Sequence, residues 1–521
     1  MTILEKIDHF GNTVPDKTAF SSEEGAITYG ELLLYSGRLA RYLQKTLPAP
    51  QNPIAVYGHK SPYMLVCFLA AARLGRPYVP VDRFIPPYRL NRILKESQAA
   101  LVLALDELGF EHPQMRKEEI LSVCADSAWD AGDPFPAPLG TDILYLMFTS
   151  GSSGQPKGVP VSYSNAESFL SWAGTFLESG EEAPVFLNQA PYSFDLSVMD
   201  TYLALTTGAR VYSLTKAVQT DFSRLYGAFR ESGVTLWVST PSFAEMCMVD
   251  KSFCQEMLPG LRRFFFCGET LRPALARALK RRFPKAKLFN FYGPTEATVA
   301  VTAAEITDKM LEFIDALPVG RVKPGGMIRI VDEMGEPLPD ETCGEIVIIS
   351  DSVARDYWNP EKTLFSRFRI WEEVGVRKWS FRTGDRGYLK DGMLYFCGRM
   401  DQQIKYRGYR VEPGDVESNM ELLPAVQNAV VLPRYRHNFV VGLQAAVTLR
   451  HAPQPGDFGQ IAEIRKALSQ LIPDYMVPKK IVILDRMPLS SNGKINRAEV
   501  KELLENERRS YFADDCRVVR R

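Results

Sequence analysis

Residues 148–158 read FTSGSSGQPKG, and their residue types fit one kind of chemistry. Thr149, Ser150, Ser152 and Ser153 surround Gly151 and Gly154, and Lys157 follows Pro156. Glycines and small hydroxyl residues let backbone N–H groups converge on phosphate oxygens, and the lysine adds a positive charge. The segment ILYLMF at 143–148 reads as a buried strand leading into the loop. VPV at 159–161 follows, and a helix is expected from about Asn165, so no helix opens directly on the loop. No Gly-Lys-Ser/Thr closes the loop, which excludes a Walker A motif. A plain Gly/Ser linker is the bland alternative; it seldom separates an apolar strand from a fixed Pro-Lys-Gly.

Other polar positions stand out further along. Asn290, Phe291, Tyr292, Gly293, Pro294, Thr295 and Glu296 close an apolar run with an aromatic ring and a carboxylate. RTGD at 382–385 reads as a second acidic turn, and Asp195 in SFDLS is a charge among apolar residues. Arg399 and Asp401 lie in the polar stretch GRMDQQIKYRGYR at 398–410. Lys494 sits in LSSNGKI on an Asn-Gly turn.

The elements that must position these residues follow from periodicity. The chain has 521 residues, too many for one compact core, so two or more domains are expected. Apolar strands at 54–57, 101–105, 185–187, 236–238, 263–266 and 287–291 alternate with helices at 63–74, 89–96, 222–232 and 272–282. That alternation predicts α/β layers with largely parallel sheets. From Val319 short strands at 327–331, 344–349 and 394–397 predict an antiparallel β section. Beyond the polar stretch, a helix (413–422), two strands (426–432 and 440–449), a helix (461–471) and a strand (480–484) predict a small α+β domain. The division expected is a large domain at 1–399 and a small one at 400–521.

Composition narrows the function. Hydrophobic content of 45% and charged content of 24% are those of a globular protein. Lys plus Arg and Asp plus Glu are both 62, so net charge gives no support for a nucleic-acid or anionic-membrane partner. The eight cysteines form no CxxC pair, so neither a zinc site nor a redox dithiol is indicated. None of the five histidines lies in a Gly-rich or acid-rich motif, which argues against a Ser-His-Asp hydrolase. The N-terminus lacks an apolar signal-peptide core, and the run at 63–72 is too short to span a bilayer, so a cytoplasmic protein without direct membrane insertion is expected.

Taken in order, these segments resemble the adenylate-forming superfamily: amino-acid adenylation domains, acyl-CoA synthetases and luciferases. The likeness runs from TYGEL at 28–32, through YVPVD at 78–82, to Lys494. SFDLSVMD (193–200), STPSF (239–243), FCGE (266–269) and YGPTEATVAVT (292–302) narrow it to the D-alanine–D-alanyl carrier protein ligases. The resemblance implies a large core domain and a small mobile C-terminal domain carrying the catalytic lysine. It implies ATP and Mg²⁺, with phosphates held by Thr149, Ser150, Gly151, Ser152, Ser153, Gly154 and Lys157. Lys494 would bridge the α-phosphate and the substrate carboxylate, and Glu296 would bind Mg²⁺. Nucleotide contacts would come from Asn290, Phe291, Tyr292, Gly293 and Thr295, with Tyr292 stacked on adenine. Asp385 would accept the ribose hydroxyls, supported by Arg399. Asp195 would bind the substrate ammonium, and Cys267, Val299 and Met199 would line the side-chain pocket, although a plain core cysteine at 267 stays open. Asp401 would be the hinge.

The activity so implied is adenylation of D-alanine and transfer to the phosphopantetheine thiol of a separate carrier protein, in cell-envelope alanylation. No carrier motif follows Lys494, so the acceptor is expected to be a separate molecule. Glycine, serine or L-alanine as substrate, an acyl-CoA synthetase, and a non-catalytic ATP-binding module remain as alternatives. Asp195 disfavours the synthetase, because a fatty acid offers no cation.

Overall fold

A computed structural model of the chain describes residues 1–47, 52–132, 135, 137–151, 155–177, 184–313, 316–359, 367–373, 375–406, 408–436, 439–451, 458–489 and 495–510. Two compact units emerge. The first comprises 1–83, 94–148 and 158–401; the second comprises 84–93, 149–157 and 402–521.

Among its described residues the first unit holds three sheets. Strands Ile54–Gly58, Tyr78–Asp82 and Leu101–Ala104 pair in parallel within a six-stranded sheet that also takes in Ile143–Thr149. Lys287–Tyr292, Arg263–Phe266, Leu236–Ser239, Val185–Asn188 and Arg210–Ser213 run parallel side by side in a nine-stranded sheet. Buried on both faces, these strands read as continuous apolar runs, which is why they were legible without alternation. Aromatic packing reinforces the second sheet: Trp237 lies 5.2 Å from Phe229 and 5.3 Å from Phe253, ring centroid to centroid. Each such contact adds roughly 0.5–1.5 kcal/mol beyond burial.

The third sheet is antiparallel, built from Met327–Val331, Gly344–Ile349, Phe368–Glu373, Val376–Lys390 and Met393–Arg399. The reading of 382–385 as a turn is corrected here, because these residues lie inside the long strand Val376–Lys390. Gly384 adopts φ +70, a conformation that breaks the strand's regularity without ending it.

The second unit contains a three-stranded sheet of Val426–Arg436, Phe439–Leu449 and Lys480–Ile483. It also has the hairpin Ile404–Tyr406 and Tyr409–Val411 and the helices Pro413–Glu421, Phe458–Leu468 and Arg497–Ser510. Pro413 stands in the first turn of its helix, where a missing N–H costs nothing. Val416, Met420, Val431, Ala445, Val447 and Leu468 are the centre of its core. Arg89 pairs with the fully buried Asp415 at 2.9 Å and thereby anchors residues 84–93 in this unit. Among the described residues no helix is long and apolar enough to cross a membrane.

Candidate active site

Tyr292 ends the interior strand Lys287–Tyr292 of the first unit's largest sheet, and a short 3₁₀ turn at Thr295–Ala297 follows. Gly293 is required between them. A Cβ there would lie 2.6 Å from Ala300 Cα and 3.0 Å from the Val299 carbonyl, both backbone atoms. Thr298 and Val299 both take positive φ, 57 and 66. Two consecutive β-branched residues in that region are strained and persist only where the surroundings hold them. Here the holding is visible: Thr298 Oγ1 donates to the Ser352 carbonyl at 2.8 Å, and Ala354 N–H donates to the Glu296 carbonyl at 2.9 Å. The segment 351–353 is fixed in turn by Asn165, whose amide donates to the carbonyls of Asp351 and Val353.

Glu296 is wholly buried, and its Oε1 accepts a 2.9 Å hydrogen bond from the Tyr357 hydroxyl. Asp385 is also buried. Tyr292 donates to its Oδ2 at 2.7 Å, and Arg399 pairs with its Oδ1. Thr383 Oγ1 accepts from the Asp385 N–H at 2.9 Å and donates to the Ile346 carbonyl at 2.8 Å, which locks the backbone on either side. Arg399 bridges two carboxylates, because its Nε and Nη2 also reach Asp401 at 2.7 and 2.6 Å. Burial, followed by the adjacent Asp385 charge, holds the Tyr292 phenol well above its ordinary pKa, so Tyr292 remains a donor. The result is a pre-oriented pair of carboxylate oxygens, each with acceptor capacity left over. Tyr292 also packs against Phe396, with ring centroids 6.0 Å apart.

Asp195 is the N-cap residue of the helix Leu196–Thr206, yet its side chain does not cap that helix. A carboxylate at a helix N-terminus is stabilised as the anion by the helix dipole. Its negative charge also acts on Tyr145, whose phenol is raised first by burial and then by Asp195. Met199, one turn further on, is fully buried. Cys267 is buried at the end of the strand Arg263–Phe266, and its Sγ–H donates to the Val299 carbonyl at 3.7 Å. The strained backbone at Val299 and the thiol at Cys267 are thus in direct contact.

Two of the expected site residues make structural side-chain contacts. Asn290 donates to the Pro318 carbonyl at 2.9 Å, a tie between two backbone segments. The Phe291 ring sits in the aromatic core, 5.0 Å from Phe265 and 5.3 Å from Phe176. Thr295 is half-buried at the start of the 3₁₀ turn.

Within the second unit, Ser150 is buried and its hydroxyl donates to the Arg410 carbonyl at 2.8 Å. Gly151 has no room for a side chain, since a Cβ would meet the Gln155 carbonyl oxygen at 2.2 Å. Thr149 and Lys157 are half-buried at the two mouths of the loop. Ser152, Ser153, Gly154 and Lys494 lie outside the described residues. Leu489 and Ile495, which flank Lys494 in sequence, form an antiparallel bridge. The chain passes from the first unit to the second immediately after Asp401.

Sequence reasoning missed Tyr357, Thr298 and Tyr145. Tyr145 lies within an apolar strand, where nothing distinguishes a phenol from another core ring. Its buried hydroxyl has no hydrogen-bond partner among the described residues.

Within the first unit, then, a buried carboxylate is anchored by a phenol and a guanidinium, and a glycine-tight turn carries a second buried carboxylate. The sequence profile of AMP-binding enzymes matches residues 7–358, and that of the AMP-binding enzyme C-terminal domain matches 415–494. The chain belongs to this family of AMP-binding enzymes. It is 41% identical over 509 residues to the D-alanine–D-alanyl carrier protein ligase of Bacillus licheniformis, covering 96% of this chain and 99% of that protein. The ligase of the same name from Listeria welshimeri is 39% identical over 515 residues, with 96% and 99% covered. Among solved structures, a nonribosomal peptide synthetase protein containing adenylation and PCP domains, bound to a vinylsulfonamide inhibitor, superposes with a TM-score of 0.81. It is 25% identical and covers 96% of this chain and 84% of that one.

Proposed function

We propose that the chain activates D-alanine with ATP and passes the D-alanyl group to the phosphopantetheine thiol of a separate carrier protein. The observation that carries this reading is the 41% identity, over nearly the whole of both chains, to a D-alanine–D-alanyl carrier protein ligase. In the first half-reaction a carboxylate oxygen of D-alanine bonds to the α-phosphorus of ATP, and pyrophosphate leaves. In the second, the thiol sulfur bonds to the carbonyl carbon of the adenylate, and AMP leaves. Both steps gather negative charge on oxygens, so positioning and electrostatic stabilisation provide most of the acceleration.

Asp195 binds the D-alanine ammonium, a charge-assisted contact that a fatty acid cannot make. Cys267 and Met199, with the Val299 backbone, limit the space for the side chain. Asp385 accepts the ribose hydroxyls, and Tyr292 and Arg399 keep its oxygens in place. The loop Thr149–Lys157 holds the β- and γ-phosphates, and Lys494 bridges the α-phosphate and the carboxylate as a compact charge. No cluster of three or more His, Cys, Asp or Glu among the described residues could hold a metal ion. A single buried carboxylate is what Mg²⁺ uses when substrate phosphates supply its other ligands, and Glu296 fits that role. When bound, Mg²⁺ would neutralise phosphate charge. The small domain, residues 400–521, turns about Asp401 between the half-reactions.

The setting consistent with this chemistry is the cytoplasm, at the start of D-alanine transfer to cell-envelope teichoic acid. The reading is tested by incubating the protein with ATP, Mg²⁺, D-alanine and a holo carrier protein and weighing the carrier. A mass gain of one alanyl group that hydroxylamine removes supports thioester transfer. Pyrophosphate release with no gain in carrier mass contradicts the second half of the proposal.

A further inference from the structure

Lys60, just beyond the strand Ile54–Gly58, is fully shielded from solvent. A buried ammonium persists only when its donors are satisfied and its charge is balanced. Its Nζ donates to Asn188 Oδ1 and to the Ala190 carbonyl, and lies 4.4 Å from the centre of the Tyr192 ring. Those three partners are the last residue of the strand Val185–Asn188 and two residues of the connection that ends in Asp195.

The same connection is gripped from its far side. Asn188 Nδ2 donates to Asp200 Oδ1 at 2.8 Å and to the Ala190 carbonyl at 3.3 Å. Asp200 is fully buried in the helix that Asp195 begins, and Thr201 Oγ1 donates to it at 2.9 Å. Ser213 Oγ completes Asn188 by donating to its Oδ1 at 2.6 Å. Lysine, amide and carboxylate therefore form one buried chain that ties the start of the connection to the helix at its end. Burial pulls the Lys60 ammonium down to about 8 and pushes the Asp200 carboxyl up to about 8, and each group's charge opposes the other's shift. A lysine suits the position because its rotatable donors can serve two oxygens while the charge faces a ring.

We propose that Lys60 is a positioning residue for the amino-acid substrate, its buried ammonium holding the 188–192 connection in the conformation that presents Asp195. The inference rests on the reading of Asp195 as the ammonium-binding carboxylate. It predicts that removing Lys60 damages amino-acid recognition selectively, although nucleotide-contacting residues lie on other elements.

The test measures D-alanine-dependent pyrophosphate release for the wild type, K60M, K60R, the charge-balanced double variant K60M/D200N, and D195N. The double variant removes both buried ionisable groups together, so it is expected to fold even where K60M alone leaves the buried Asp200 without Lys60 opposite. In K60M/D200N the KM for D-alanine is expected to rise about tenfold, the effect of losing one charge-assisted hydrogen bond. The KM for ATP stays within about twofold, thermal unfolding remains cooperative, and K60R recovers part of the loss. A D-alanine KM unchanged in K60M/D200N but raised in D195N overturns the inference and leaves the Asp195 reading intact. Parallel rises in both KM values also overturn it, by marking Lys60 as a general stabiliser. An unchanged D-alanine KM in D195N refutes the Asp195 reading itself, and the inference with it.

Discussion

Replacing Tyr292 by phenylalanine removes one atom from the anchored carboxylate and leaves the ring. The lost hydroxyl donates to Asp385 Oδ2 at 2.7 Å, in a site where both residues are buried. A hydrogen bond to a charged group contributes roughly 1.5–3 kcal/mol. Arg399 still pairs with Oδ1, and the Asp385 N–H is still held by Thr383, so the stability lost should fall at the low end, about 1.5 kcal/mol. The catalytic effect differs in kind. With Oδ2 unanchored, Asp385 loses one of the two constraints on its orientation toward the ribose. The KM for ATP is then expected to rise about tenfold, equivalent to ~1.4 kcal/mol, while the KM for D-alanine stays within about twofold. Because burial and Asp385 raise the Tyr292 pKa, the wild-type phenol stays protonated through the neutral range, and the effect of the substitution is independent of pH there. The assay is pyrophosphate release with each substrate varied in turn. Equal changes in both KM values, or none in that for ATP, would refute the role given to the Tyr292–Asp385–Arg399 group.

Further outcomes follow from the same geometry. Asp195→Ala should weaken D-alanine binding by about 10- to 100-fold, as expected for a lost charge-assisted contact, with ATP binding nearly unchanged by calorimetry. Lys494→Ala should abolish adenylate formation yet leave transfer from a supplied D-alanyl adenylate largely intact; equal loss of both steps contradicts its assignment. Gly293→Ala forces a Cβ to 2.6 Å from Ala300 Cα, so the backbone must shift. It should lower stability by about 1–3 kcal/mol in denaturant titration. Glu296→Gln keeps a hydrogen-bond acceptor for Tyr357 but removes the charge, so the Mg²⁺ concentration for half-maximal activity should rise several-fold; an unchanged Mg²⁺ dependence removes Glu296 from the metal site.

Much of the scaffold could be read from the chain because of how its strands are buried. The strand Arg263–Phe266 lies deep between layers, and FFF admits no other assignment once its neighbours alternate with helices. The long strand Val376–Lys390 was not legible. Exposed Arg377, Arg386 and Lys390 are interspersed with the apolar positions, the buried Asp385 is itself polar, and Gly384 interrupts the period, so the motif at 382–385 reads as a turn. Site residues with a distinctive type in an unusual setting, such as Asp195 and Glu296, stood out. Lys60 did not, because one lysine after an apolar run looks like a surface residue until the fold closes Asn188, Ala190 and Tyr192 around it. Nor could the strain at Thr298 and Val299 be foreseen, since β-branched residues argue against positive φ. Such features arise from tertiary placement, and local pattern carries no trace of them.

The most direct test of the central claim is amino-acid-dependent pyrophosphate release with ATP and Mg²⁺, compared across D-alanine, L-alanine, glycine, serine and a fatty acid. A strong preference for D-alanine is predicted from the roles proposed for Asp195, Met199, Cys267 and the Val299 backbone. Preference for another of these substrates would contradict the assignment of D-alanine, and release with none of them would contradict adenylation itself.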